Sequence, residues 1–153
     1  MPHIHDKIDF TVEVFVVYKD KVLLRVHDKF KIWLSVGGHV ELDEDPVQAG
    51  LREVKEEVGL DVEIVGNLEP EPDHDFIPLI TPRYLGRHKY SDTHDHVTFI
   101  YFAKANADTI LESQSAHEKA ETKWVSREEL STMDLKPNIL FYATKALEEL
   151  GEK

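Results

Sequence analysis

Between Gly37 and Leu60 the chain reads GGHVELDEDPVQAGLREVKEEVGL. Few stretches restrict a fold as tightly. A glycine pair runs into an acidic loop, and the loop runs into a helix whose start can be read residue by residue. Asp45 can accept from the first turn, Pro46 suits the first helical position, and Gln48 can close a capping box. The helix is expected to reach Val58, with Gly59 as its stop. Val47, Leu51, Val54 and Val58 recur at helical spacing and mark the expected core face. Gly50 sits inside the helix at some cost in stability, which points to another backbone packing close to it.

Glu53, Glu56 and Glu57 stand at i, i+3 and i+4. At roughly 100° per residue they share an arc of about 100° on one face, mostly beside the apolar stripe. Carboxylates at this spacing repel one another. A hard cation would relieve the repulsion; Mg²⁺ or Mn²⁺ would serve, because such ions take oxygen donors. Arg52 can reach Glu56 one turn on and hold it in place. Three glutamates alone are better explained by a solvated acidic face. Gly37 and Gly38 shift that balance, because glycine permits unusual backbone angles and close approach. A turn there would present a carbonyl as a further ligand.

The residues also match a family motif. Gly38, five residues, Glu44, seven residues, then Arg52-Glu53-Val54-Lys55-Glu56-Glu57-Val58-Gly59-Leu60 fills every fixed position of the Nudix box, G-x5-E-x7-R-E-U-x-E-E-x-G-U with U aliphatic. Lys123-Trp124-Val125-Ser126, followed by Glu129-Leu130, resembles the late strand and helix start of the same family. The resemblance implies an α/β fold, an α/β/α sandwich around a mixed β-sheet. It also implies hydrolysis of a nucleoside diphosphate linked to another moiety. Carried over by position, Glu53, Glu56 and Glu57 would bind divalent metal, with the Gly38 carbonyl a further ligand. Glu53 is favoured as the base, and Glu118 and Glu121 are reserves. Arg52 would orient a glutamate, while Gly37 and Glu44 would support the site. Two positions depart from common family usage: Ser35-Val36 replaces Leu-Pro before the glycine pair, and Asp43 replaces a glycine before Glu44. Neither Pro78 nor Tyr84 sits where the family's ADP-ribose or dinucleoside-polyphosphate markers fall.

Composition narrows the remaining classes. The 153 residues suit a single domain, 1–153, able to bury a core. Cysteine is absent, which excludes disulfides and thiolate metal sites. Thirty acids against 18 bases give a formal charge of −12, opposite to the balance of a nucleic-acid binder. Such a chain can still handle phosphates through a bridging cation. No apolar run approaches a membrane span, and MPHIHDKIDF lacks a signal-peptide core. The expectation is a soluble cytoplasmic protein with a small-molecule nucleotide or diphosphate substrate and no nucleic-acid or membrane partner. The family leaves a homodimer open, and the sequence shows no interface for one.

Elsewhere, Phe10–Tyr18 and Lys21–Val26 suggest a hairpin across Lys19-Asp20. His27–Lys31 reads as a loop. Ile32-Trp33-Leu34 is expected as a short strand, and Val40–Leu42 as extended. Arg25 and Trp33 are candidate substrate contacts, to a phosphate and a base, although a surface arginine and a core tryptophan explain them as well. Leu60–Val65 alternates as a strand. The proline-rich span from Gly66 to Thr93 is long for a loop, so a short strand near Arg83–Leu85 and a functional or mobile part are expected. Val97–Ala103 and Lys123–Val125 read as strands. Ser126-Arg127-Glu128-Glu129 opens a short helix. Pro137–Leu150 is a final helix with Leu140, Ala143, Leu147 and Leu150 as its apolar face. The irregular alternation of strands and helices favours a mixed sheet between helices.

His94 and His96 would share one side of a strand, and His3 and His5 repeat the spacing. A polar strand start is preferred there over a metal site, since imidazole suits transition metals better than Mg²⁺. Arg83, Arg87, His88 and Lys89 could meet phosphates or form a surface cluster. The leading function is metal-dependent pyrophosphohydrolysis of a nucleoside triphosphate or related derivative. The competing readings are a non-catalytic nucleotide sensor and an isoprenoid-diphosphate isomerase. The intact glutamates argue against the sensor, and the missing cysteine argues against the isomerase.

Overall fold

A computed structural model describes residues 7–26, 31–111 and 120–153. His3, His5, Glu118 and most of the loop expected at His27–Lys31 lie outside the described residues. Two long strands carry the architecture. β1 spans Ile8–Tyr18, and a tight turn at Lys19-Asp20 leads to β2, Lys21–Val26. β3 is Trp33–Leu34 and β4 is Val36–His39. Helix α1 follows at Pro46–Val58, then β5 at Val62–Val65, β6 at Tyr84–Ser91 and β7 at His94–Ala105. β8 at Glu121–Ser126 leads into α2, Arg127–Leu130, and α3, Pro137–Leu150.

β1 and β7 run parallel from the Ile8–Asp95 pair to the Val17–Lys104 pair. Every other strand pair is antiparallel, so the eight-stranded sheet is mixed, as expected. At one end the central pair is flanked by β4 on β1 and β6 on β7. At the other end β2 continues along β1, and β5 along β7. β2 also carries β3 and β8.

Alternation along β1 divides the core between the two faces of the sheet. Val12, Val14 and Val16 meet Ala49, Val54 and Val58 of α1, with Tyr101 and Ala103 from β7. Phe15 and Val17 face the other way, with Ile100 and Phe102, onto Ile139, Ala143, Ala146 and Leu147 of α3. The result is a helix–sheet–helix sandwich. No described helix is long and apolar enough to cross a membrane.

Several expectations need correction. The glycine pair lies in strand β4, paired with Val12 and Glu13, and not in a turn. Val40 N–H extends the ladder to the Phe10 carbonyl at 2.9 Å, but the chain turns at Leu42, which is fully exposed, so the extended stretch is shorter than expected. Leu51 and Leu140 are exposed at the borders of their helices' core faces; Ala49 and Gly50 on α1, and Ile139 and Ala146 on α3, take the buried positions. The groups close to Gly50 are the side chains of Val14 and Ile64, not a backbone. The short strand expected near Arg83–Leu85 is the eight-residue β6, joined to β7 through Asp92-Thr93. The polar composition of YLGRHKYS hid its length, since its exposed positions need no apolar residue.

Candidate active site

The start of α1 is built as its sequence suggests. The Asp45 side chain accepts from Gln48 N–H at 2.9 Å, and the Gln48 side chain accepts from Asp45 N–H at 2.9 Å. Gly59 closes the helix at φ +73°, a left-handed conformation that favours glycine. Between these caps the helix lays its acidic face against β4.

Arg52 organises that face. Its Nε and Nη2 donate to the two oxygens of Glu44 at 3.0 and 2.6 Å. Nη1 reaches Glu53 at 2.8 Å and Glu56 at 3.2 Å, and Nη2 also donates to the His39 carbonyl at 3.0 Å. One guanidinium therefore joins the acidic loop, the helix and the end of β4. Glu44 in turn accepts from Glu41 N–H at 2.9 Å. The Arg52 contacts hold the Glu44 carboxyl below its ordinary range. Glu53 behaves in the opposite sense, because burial raises its pKa while the hydrogen bond from Arg52 only partly opposes the shift.

The glycines of β4 admit these carboxylates. A Cβ on Gly38 would overlap the Glu53 carboxylate, and a Cβ on Gly37 would overlap the Val12 carbonyl oxygen. The Gly37 N–H donates to Glu57 Oε1 at 3.0 Å, while Glu57 Oε2 is ion-paired with Arg25. Arg25 is thus engaged with a helix carboxylate from its place on β2. Trp33 packs against the α3-side cluster. Glu56 is the most exposed of the three glutamates. Glu121 is exposed at the start of β8, opposite Val26. The donor set gathered at α1 consists of carboxylates packed against a β4 position that excludes a Cβ, and hard divalent cations select such oxygen donors.

A cleft of about 530 Å³ adjoins Gly37 and Gly38. Glu13, Thr98, His88, Tyr90, Lys136 and Asn138 are among its lining residues. Glu13 is mostly buried, and its Oε2 finds no hydrogen-bond partner among the described residues. Burial pushes its carboxyl up to about 7, with Lys136 opposing. Sequence reasoning passed over this residue, although a lone acid inside FTVEVFVVY was a visible signal. Most of the supposed basic cluster is paired: Arg83 with Glu149 at 2.6 Å, Arg87 with Asp95 at 3.0 Å, and Lys89 with Asp92 at 3.2 Å.

The NUDIX domain family model matches residues 9–146. A hydrolase of the NUDIX family from Clostridium perfringens superposes with a TM-score of 0.81 at 36% identity, over 93% of this chain and 97% of that one. A MutT NUDIX hydrolase from Burkholderia pseudomallei gives 0.66 at 18% identity, over 95% and 99% of the two chains. A C. elegans Ap4A hydrolase gives 0.60 at 21% identity, over 92% and 93%. No curated protein matches the chain by sequence. The chain belongs to the Nudix hydrolase family. It is a Nudix-type hydrolase, of a family that acts on nucleoside-diphosphate derivatives.

Proposed function

We propose that this chain is a Mg²⁺-dependent pyrophosphohydrolase that cleaves a diphosphate linkage in a nucleoside triphosphate or another nucleoside-diphosphate derivative. The observation that carries the reading is the α1 carboxylate trio, tied together by Arg52, with Glu53 against Gly38 and Glu57 on the Gly37 N–H, the two glycines that also line the cleft. Glu53, Glu56 and Glu57, with the Gly38 carbonyl, would hold the cation, and Mn²⁺ is a natural substitute. When bound, such an ion neutralises diphosphate oxygens and acidifies nearby water.

The chain's own residues supply the rest. Desolvation makes Glu53 a stronger proton acceptor, suited to take the proton of the attacking water. Water oxygen bonds to phosphorus as the bond to the leaving phosphate breaks. Arg52 fixes the Glu53 carboxylate, and Glu44 fixes Arg52. Gly37 N–H and Arg25 set the orientation of Glu57. The cleft falls in the size range of small-ligand sites and offers polar groups to the nucleoside part.

The test is a panel of nucleoside triphosphates, dinucleoside polyphosphates and nucleoside-diphosphate conjugates, assayed with Mg²⁺, Mn²⁺ or a chelator. Phosphate and pyrophosphate release are measured for wild type, Glu53→Gln and Glu56→Gln. Turnover should need the cation and fall by ~10²-fold or more in Glu53→Gln, the usual scale for loss of a general base. Turnover indifferent to both chelation and Glu53→Gln would overturn the mechanism.

A further inference from the structure

The register of the central strands brings the side chains of a second group of donors together, on the sheet face opposite α1. Asp9 of β1 pairs with His96 of β7, so the two side chains share a face. His94 lies two residues before His96 and projects to the same side. On the other flank of β1, His39 pairs with Thr11, two residues past Asp9 and again on that face. Four side chains from three strands therefore converge at one end of the sheet.

The distances follow from that register. Asp9 Oδ2 lies 2.9 Å from His94 Nε2 and 3.6 Å from His39 Nε2. One ligand atom each from Asp9, His94 and His96 falls within 4.8 Å of the others. The His96 ring centroid is 5.0 Å from that of His39 and 5.2 Å from that of His94. Neighbouring contacts hold the frame. Asp95 N–H donates to the Lys7 carbonyl at 2.7 Å, and the Thr11 and Thr98 hydroxyls meet at 2.7 Å. The Tyr90 ring stacks on His96 at 4.9 Å.

We propose that Asp9, His94 and His96 form a binding site for one zinc-type transition-metal ion, with His39 as the fourth donor. Imidazole and carboxylate suit Zn²⁺ and its neighbours, whereas Mg²⁺ keeps to oxygen. Metal–donor bonds of about 2.0–2.1 Å in a tetrahedron place donors ~3.4 Å apart. The two Asp9 distances bracket that value; the Asp9, His94 and His96 donors, all within 4.8 Å, close on an ion with side-chain movement on the order of 1 Å, and His39, held near Asp9, turns in to complete the set. A dication also serves one carboxylate and three neutral imidazoles without protonating any ring. The ion would tie the starts of β1 and β7 to the end of β4. His39 and His96 also line the cleft, so the ion would sit at its rim. The proposal is the alternative to the merely polar strand start that the sequence favours at His94-Asp95-His96.

The test uses the metals alone. Zn²⁺ binding to the full chain is measured by calorimetry, and Co²⁺ replaces it as a visible-absorption reporter of four-coordination. Wild type should bind one equivalent at this site and show tetrahedral Co²⁺ bands. Asp9→Asn and His96→Gln should each weaken Zn²⁺ by at least ~100-fold, since loss of a ligand should exceed the 10–100-fold cost of losing an outer partner. Asp9 is half exposed and Asn preserves its shape, so circular dichroism should show that variant folded. His74→Ala, in an exposed loop between Asp73 and Asp75, should leave Zn²⁺ binding unchanged. So should the Glu53→Gln/Glu56→Gln double variant, which separates this site from the α1 carboxylates. The proposal is overturned if wild type binds no Zn²⁺, or if binding survives Asp9→Asn and His96→Gln. Loss of binding in either control instead would overturn it too.

Discussion

Glu13 is a carboxyl set among apolar neighbours. It stands on a central strand between Val12 and Val14, both buried, and its carboxyl is pushed up to about 7. In the unfolded chain it would titrate near the ordinary 4.5. The folded state thus holds the proton more tightly than the unfolded state does. Below pH 4.5 both states are protonated and Glu13 costs no stability through ionisation. From there to about pH 7 the unfolded state ionises first, and the native state loses ground. Above pH 7 the penalty is complete, on the order of 3 kcal/mol for a shift of this size. Replacing Glu13 with Gln removes the charge and keeps the shape. Denaturant unfolding should show Glu13→Gln stabler than wild type by about 2–3 kcal/mol at pH 8, with the difference shrinking towards zero at pH 4.5. An equal difference at both pH values would mean that the shift does not govern this residue. Glu13 lines the cleft, so the same variant should also raise KM for a substrate bound there.

Strand β4 shows how an element's sequence can serve backbone and site at once. Its two glycines face different obstacles. A Cβ at position 37 would strike the Val12 carbonyl, which the β1–β4 ladder holds in place. A Cβ at position 38 would strike the end of the Glu53 side chain, which can swing away. Gly37→Ala should therefore destabilise by about 1–3 kcal/mol, the usual cost of overpacking. Gly38→Ala should cost little stability but displace a carboxylate that the proposed chemistry needs. Turnover should then fall by ~10²-fold, the scale of a displacement of roughly 1 Å at a reacting centre. Thermal melts and kinetics on the two variants give the check, and equal stability losses would refute the distinction. This contrast also shows what the sequence could reveal. The capping box, the Gly59 stop and the glutamate spacing are local, so they could be read directly. The strand character of Gly37-Gly38 depends on pairing with β1, twenty-odd residues away in the chain, and no local propensity announces it. β6 was underestimated for the same reason, since its eight residues are ordered by β7 and not by their own apolar pattern.

At the scale of the whole molecule, the mixed sheet between helices was legible because irregular strand–helix alternation and buried valine runs leave few other architectures. The cleft was not legible. Its walls come from β1, the β3–β4 segment, β6, β7 and the start of α3, which the β1–β4, β1–β7 and β6–β7 pairings bring together across the chain. The same fold concentrates acids on one side of α1 in a chain already at −12. Cations should therefore stabilise it in two separable ways. Any salt screens the general repulsion, with a Debye length of about 10 Å at 0.1 M. A cation that binds the α1 carboxylates adds a saturable term set by mass action, about 2.7 kcal/mol at a hundred times its Kd. Calorimetric melts with MgCl₂, matched in ionic strength by NaCl, separate the two. Wild type should gain a saturating rise in Tm with Mg²⁺ beyond the NaCl series, and EDTA should remove it. In Glu53→Gln/Glu56→Gln the Mg²⁺ and NaCl series should coincide, because screening survives the loss of the site. If wild type itself shows no difference between the salts, the carboxylates of α1 do not bind Mg²⁺ in the free protein. The repulsion among them would then be relieved by Arg52 and Arg25 alone.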